Sequence, residues 1–286
     1  MSERDFVIPR ENLPDGFAEN IEHPPEEPAI PRPAATIVLL RDGEPGLELL
    51  LMRRSRRAGF VPGAWVFPGG RVDRADADNA VLERLDDLDA EAAERRLELR
   101  GADPPALAYY LAALREAFEE TGILVGTGDD GAAPPTAVED DRTDAVRNEL
   151  MADHISFGEA AARLGARIAG GAVEYIAHWI TPEAEPRRYD TRFFAARVDP
   201  RAEPIIDPRE MTDAQWITPT DALDRLDRGE LPMVFPTIKT IEQLAAHPSA
   251  EAALEAWADA PVRTILPRLV LTPTGVGLEV GGDGGA

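Results

Sequence analysis

The alternation of apolar and polar positions changes period several times along the chain. Residues 36–40 (Thr-Ile-Val-Leu-Leu) and 47–52 (Leu-Glu-Leu-Leu-Leu-Met) are short apolar runs on either side of Asp42-Gly43-Glu44-Pro45-Gly46, which predicts a β-hairpin. Another short strand is predicted over 64–67, leading into Pro68-Gly69-Gly70. Residues 74–104 are acidic and rich in Ala and Arg, with Leu82, Leu85 and Leu88 at roughly helical spacing, and read as a helical insert on the surface. A stronger helix follows over 105–121: Pro105 suits a first turn and Gly122 a stop. Residues 126–145 read as a loop, and Ser156-Phe157-Gly158-Glu159 as a capping box that opens a helix to about residue 164. Strands are predicted over 172–179, 189–198 and 214–217, with helices over 220–228, 237–246 and 250–258. Residues 1–34, with Pro24, Pro25, Pro28, Pro31 and Pro33 among charges, form an extended leader, and 266–286 a β-like, then Gly-rich tail. Strands and helices interleave throughout one domain over 35–265, so the class is α/β or α+β.

Composition narrows what such a domain does. With 53 Asp+Glu against 30 Lys+Arg the formal charge is −23, which argues against nucleic acid or an anionic membrane as a partner. The absence of cysteine excludes a disulfide scaffold, a thiol nucleophile and thiolate metal ligands. No apolar run approaches the roughly 18–20 residues of a membrane span, and residues 1–10 lack a signal-peptide core. The expectation is a soluble, cytoplasmic protein; the sequence leaves a homodimer open. Lys239 is the only lysine, so phosphate recognition would fall to arginine, whose planar fork suits phosphate oxygens.

The helix over 105–121 carries the candidate chemistry. Leu107, Leu111, Leu114 and Phe118 lie within about 60° of one another at 100° per residue, an apolar stripe. On the other side Glu116, Glu119 and Glu120 converge. Three carboxylates on one face repel one another, and at a helix C-terminus the dipole disfavours them further. In a chain this acidic the bland reading is a solvated face; the functional reading is a site for a divalent cation, Mg²⁺ or Mn²⁺, which suits all-oxygen ligation. A second feature is basic: Arg53, Arg54, Arg56 and Arg57 make a cationic patch suited to a polyphosphate. The four histidines have no zinc-site spacing, no G-x-S-x-G elbow occurs, and Gly69-Gly70 lacks the dinucleotide G-x-G-x-x-G. Trp65, Trp179 and Trp216 read as core.

The string Arg115-Glu116-Ala117-Phe118-Glu119-Glu120-Thr121-Gly122-Ile123 resembles the second half of the Nudix hydrolase signature, and Phe67-Pro68-Gly69-Gly70 resembles its start. About 31 residues stand inserted between the halves, and where the family has its first Glu this chain leaves Asp73, Asp76 and Asp78 as candidates. An insertion at this place is similar to the peroxisomal acyl-coenzyme A diphosphatase branch. Residues 50–70 also resemble the CoA-recognition pattern of such enzymes: Leu50, Leu51, Arg54, Ser55, Gly63 and Phe67–Gly70 fit, while Gly59 replaces its second Arg and Arg56 or Arg57 is the candidate substitute. Residues 179–194 and 210–218 extend the resemblance, with Arg188, Arg192 and Glu210 as weak site candidates.

The resemblance implies an α/β/α sandwich with a mixed sheet, a helical insert and extra C-terminal helices. It implies hydrolysis of the pyrophosphate in a nucleotide substrate, CoA or acyl-CoA first and ADP-ribose, NADH or another nucleotide sugar second; a non-catalytic ligand sensor is the reading from another class. Glu116, Glu119 and Glu120, with the carbonyl of Gly70, would hold the metal. Glu116 and Glu119 would act in catalysis, with Glu116 as base and Arg115 orienting the glutamates. Arg53, Arg54, Ser55, Arg57, Gly63, Phe67 and Gly69 would bind substrate.

Overall fold

The structure is a computed structural model and describes residues 7–9, 21, 23, 25–44, 46–56 and 61–280. In chain order its elements begin with strands β1 (Val7–Pro9), β2 (Arg32–Gly43), β3 (Gly46–Arg54), β4 (Trp65–Val66) and β5 (Gly69–Arg71). A 3₁₀ turn (Arg74–Ala77), α1 (Asn79–Leu82), β6 (Leu85–Asp86) and α2 (Ala90–Leu97) precede the long α3 (Ala106–Thr121). Next come β7 (Gly126–Gly128), α4 (Asp141–Met151), α5 (Phe157–Leu164), β8 (Ala166–Ala169), β9 (Val173–Ile180), β10 (Tyr189–Arg197) and β11 (Met211–Ile217). The chain closes with α6 (Pro219–Asp227), α7 (Phe235–Leu244), α8 (Ala250–Ala258), β12 (Thr264–Ile265), β13 (Arg268–Thr272) and β14 (Gly275–Glu279).

These elements fall into two units, a larger one of residues 34–177 and 192–261 and a smaller one of 1–33, 178–191 and 262–286. In the larger unit the strands run in the order β11-β3-β2-β10-β9. The predicted hairpin is there, with Leu40 opposite Leu49 and Gly43 opposite Gly46. Residues 37–40 and 49–52 are fully buried, which is why they read as continuous apolar runs and not as alternating ones. Helix α3 is buried on almost every side through residues 106–114, Tyr109 and Tyr110 included, so its apolar surface is far wider than the expected stripe. Tyr110 packs its ring on Phe194 of β10, centroids 4.6 Å apart. Only the last two turns, 115–120, leave the glutamate side open, and Gly122 ends the helix in the left-handed conformation.

The insert carries helices, as expected, but not along its leucine spacing. Leu82, Leu85 and Leu88 do not share a helix: Leu82 ends α1, and Leu85 belongs to β6, which pairs in parallel with β8. The segment is wired into the larger unit. Arg96 of α2 donates to the carbonyls of Tyr175 (3.0 Å), Trp257 (2.8 Å) and Ala260 (2.8 Å). Part of the expected 126–145 loop is also structured, as β7 and the start of α4. In the smaller unit β1, β14 and β13 form an antiparallel sheet, and β12 runs parallel to His178 and Trp179 of β9. His178 there bridges Asp190 (2.5 Å) and Thr264 (2.8 Å). Among the described residues no helix is long and apolar enough to cross a membrane.

Candidate active site

Two segments far apart in sequence meet at the open end of α3. Strand β5 pairs with β2, Gly70 opposite Ala35, and lies across the glutamate side of the helix. The Gly69 amide donates to Glu120 Oε2 at 3.0 Å. A Cβ built on Gly70 would stand 2.3 Å from Glu116 Oε1, so only glycine lets the backbone come this close to that carboxylate. The Pro-Gly-Gly step is therefore a seat for two of the glutamates.

Arg115 ties the rest together. Its Nη1 donates to Glu116 Oε1 and Glu119 Oε2, each at 2.8 Å, and its Nε to Asp76 Oδ1 at 2.6 Å. Its Nη2 reaches the carbonyl of Arg71 at 3.0 Å. Asp76 is thus the one of the three candidate aspartates that pairs with Arg115. Its second oxygen accepts from the Asp73 amide at 2.7 Å, and its side chain is only 4% exposed. Asp73 and Asp78 serve instead as N-caps of the 3₁₀ turn and of α1.

The charge balance is lopsided. Burial raises the Glu116 carboxyl, Arg115 pulls it back, and Asp76 and Glu210 push it up again. Burial raises Glu119 to about 7, opposed by Arg115. Glu120 stands well above the ordinary range, first through burial and next through Glu116, with the Gly69 amide and Arg54 pulling the other way. Burial lowers the proton affinity of Arg115, but Glu116, Asp76 and Glu119 more than reverse that. Crowded, desolvated carboxylates beside few cations are a donor set for a hard divalent ion, and the close approach of Gly70 adds a backbone to that wall. Among the described residues no three acidic or histidine side chains are already drawn into a metal cage; Glu116 and Glu119 share Arg115, and Glu120 is held by Gly69.

The glutamates face a cleft of about 210 Å³. Its other walls are Leu150, Met151 and Asp153 at the end of α4, and Asp207, Glu210 and Met211 at the entry to β11. Glu210, one of the weaker site candidates in the sequence, is brought here by the turn that starts at Asp207, and its carbonyl accepts from the Ser55 amide at 2.8 Å. That bond ties the end of β3, which carries Arg53 and Arg54, to the same cleft. Sequence reasoning did not find Leu150 and Met151; they sit on a helix whose apolar pattern is too sparse to signal.

The remaining site residues scatter. Arg53 lies in β3 opposite Trp65 and Asp213. The Arg54 Nε is buried with no hydrogen-bond partner. Gly63 adopts a positive φ of 75° in the turn before β4. Phe67 is a core side chain, 4% exposed. Arg57 and Gly59 lie outside the described residues. Arg188 is buried in the smaller unit, donating to the carbonyls of Thr181 and Ala29, and Arg192 is buried with its guanidinium 4.5 Å from the Tyr109 ring centroid.

A glycine pair seated on an R-E-x-x-E-E helix, beside a sheet with helices packed on it, defines a Nudix domain. The profile of the NUDT19 Nudix domain matches residues 31–244, and the chain belongs to that family. It is 30% identical over 246 residues to the acyl-coenzyme A diphosphatase NUDT19 of Gallus gallus, covering 69% of this chain and 64% of that one. The Xenopus laevis protein of the same name is 25% identical over 205 residues, covering 62% of this chain and 54% of its own length. This chain thus spans less than two thirds of either relative. A NUDIX hydrolase structure from Alicyclobacillus acidocaldarius superposes with a TM-score of 0.63 at 30% identity, over 82% of this chain and 99% of that one.

Proposed function

We propose that the protein is a divalent-cation-dependent hydrolase that cleaves the pyrophosphate of CoA or acyl-CoA to 3′,5′-ADP and (acyl-)phosphopantetheine. The observation that carries the reading is the assembly of Glu116, Glu119 and Glu120 about Arg115 and Gly69-Gly70, at the wall of a cleft tied to the arginine-bearing end of β3. The names of the two vertebrate relatives support the choice of substrate.

Glu116, Glu119 and Glu120, with the Gly70 carbonyl, would hold Mg²⁺ or Mn²⁺, which when bound neutralises charge on the transferring phosphoryl group and makes water more acidic. The protein's own groups do the rest. Glu116 accepts the proton of the attacking water as its oxygen bonds to phosphorus and the anhydride P–O bond breaks. Asp76 fixes the guanidinium plane of Arg115, and Arg115 in turn fixes the rotamers of Glu116 and Glu119. Gly69 fixes Glu120. Arg54, whose Nε has no hydrogen-bond partner and whose charge also acts on Glu120, would donate to phosphate oxygens, with Arg53 and Arg57 as supplementary cations.

The test is product analysis after incubation with CoA, acetyl-CoA, ADP-ribose and NADH, each with Mg²⁺, Mn²⁺ or EDTA. The expected result is 3′,5′-ADP from the CoA species, abolished by EDTA and reduced at least about 100-fold by Glu120→Gln. Cleavage of ADP-ribose or NADH alone would keep the site and overturn the substrate. No turnover with either metal would favour a non-catalytic ligand-binding role.

A further inference from the structure

The C-terminal end of α3 raises an electrostatic problem. Its last turns present Glu116, Glu119 and Glu120 where the helix dipole is negative, and its final carbonyls have no partners within the helix. Some of those carbonyls are satisfied locally: Phe118 by the Gly122 amide, and Thr121 by the amide of Ile205. Ile123, four residues beyond Glu119, gives its amide to the Thr121 hydroxyl at 3.2 Å. The Glu119 carbonyl is taken by a side chain from another helix. Arg147 of α4 donates to it from Nε at 2.8 Å.

Arg147 is an unusual residue in this position. It is 3% exposed, so its charge is taken almost wholly out of water. Its Nη1 lies 3.6 Å from Asp144, one turn back on α4, and its Nη2 is buried with no hydrogen-bond partner. The Asp207 carboxylate also acts on it, from the turn that carries Glu210. One turn further along α4, Leu150 and Met151 line the cleft beside the glutamates, so the face of α4 that bears Arg147 is the face turned to the site. A buried guanidinium is costly unless it answers other charges, and here those charges come from both acid-bearing segments of the site.

We propose that Arg147 is a positioning residue of the active site: it caps the C-terminal end of the glutamate helix and supplies a cation beside Glu119 that lets this acid be held there. The inference rests on reading that helix as the catalytic one. Arg147 touches neither substrate nor reacting atoms; it acts through the backbone of Glu119.

Two measurements on the 286-residue chain test it, with Arg147→Met, which keeps length and loses charge and donors, and Arg147→Lys, which keeps the charge. The first is hydrogen exchange of the metal-free protein. Protection of amides in residues 119–123 should fall about tenfold or more in Arg147→Met, recover in part in Arg147→Lys, and stay unchanged in β3. The second is turnover of acetyl-CoA at saturating metal, normalised to folded protein by circular dichroism. The kcat should fall about tenfold or more in Arg147→Met, with KM within about twofold and partial recovery in Arg147→Lys. A folded variant with unchanged kcat, or with unchanged exchange at the helix end, overturns the proposal. Should Arg147→Met fail to fold, Arg147→Gln is read in the same way. If the wild-type protein turns over none of the substrates, the functional reading has failed, and the exchange measurement still decides whether Arg147 holds the helix end.

Discussion

At the scale of single residues, the site is an arginine shared among acids. Asp76 is the most buried of those partners, and breaking a buried ion pair from one side leaves the other charge uncompensated, typically at a cost of about 3 kcal/mol or more. Asp76→Asn should lower the melting temperature clearly, and should lower kcat more than it raises KM, because Arg115 loses the contact that orients it. A variant with wild-type stability would show that the pair is not what holds Arg115. A cleaner pH signature lies away from the site, at Glu174 in β9. Burial raises its carboxyl pKa, with Arg96 pulling it down and Asp259 pushing it up. A carboxyl whose pKa is higher folded than unfolded opposes folding once deprotonated; the penalty is absent below the unfolded value, near 4.5, and complete above the folded one. Glu174→Gln should therefore be more stable than wild type at pH 7.5 and indistinguishable from it at about pH 4 in thermal melts. A stability difference that ignores pH would assign the effect to packing instead. The acids of the site were legible in the sequence because their spacing puts them on one helical face. Their restraints were not: Asp76 could not be told from Asp73 or Asp78 by position, and Arg147 gives no local signal that it is buried.

At the scale of elements, the caps are legible and the close approaches are not. The Ser156 hydroxyl accepts from the Glu159 amide at 3.2 Å and the Glu159 carboxylate accepts from the Ser156 amide at 2.7 Å, the reciprocal box the sequence predicts. Two residues on, Gly158 packs against the insert: a Cβ there would meet the carbonyl carbon of Ala80 at 2.2 Å and the amide of Val81 at 2.4 Å. In a free helix Gly→Ala would add about 1 kcal/mol of stability. Here Gly158→Ala should instead cost about 1–3 kcal/mol, through backbone that must move apart. Urea titration gives the sign directly, and a stabilised variant would mean that α1 does not rest on α5. Helix α4 escaped the sequence reading for a related reason. Its buried face is Thr143, Val146, Arg147 and Leu150, so half of what it buries is polar, and apolar periodicity cannot register it. The insert is helical as expected, but its leucine spacing was misread, because spacing of that kind over 82–88 also suits a short helix followed by a strand.

At the scale of the whole molecule, 53 acidic residues against 30 basic ones make self-repulsion a standing term in stability. Salt screens that repulsion, so the melting temperature should rise by several degrees between about 20 mM and 500 mM NaCl. A flat or falling response would show that specific ion pairs, such as Arg41 with Glu48 at 2.7 Å, outweigh the net charge. The two units also divide what could be read in advance: the α/β order of the larger one followed from its apolar runs, while the pairing of Val7–Pro9 with the C-terminal strand joins the two ends of the sequence and leaves no trace in either. The insert bears on how the spacing within the site is set. Its strand is bonded to β8, its second helix is anchored by Arg96, and its leading turn by Asp76, while Asp103, in the stretch between α2 and α3, is paired with Arg74 of that turn. In that stretch Gly101 is exposed, with nothing within 4 Å of where a side chain would begin. Residues added at Gly101 would run into open space, so the count of residues between Gly70 and Arg115 can grow at that one point while the same acids stay on the same glycines.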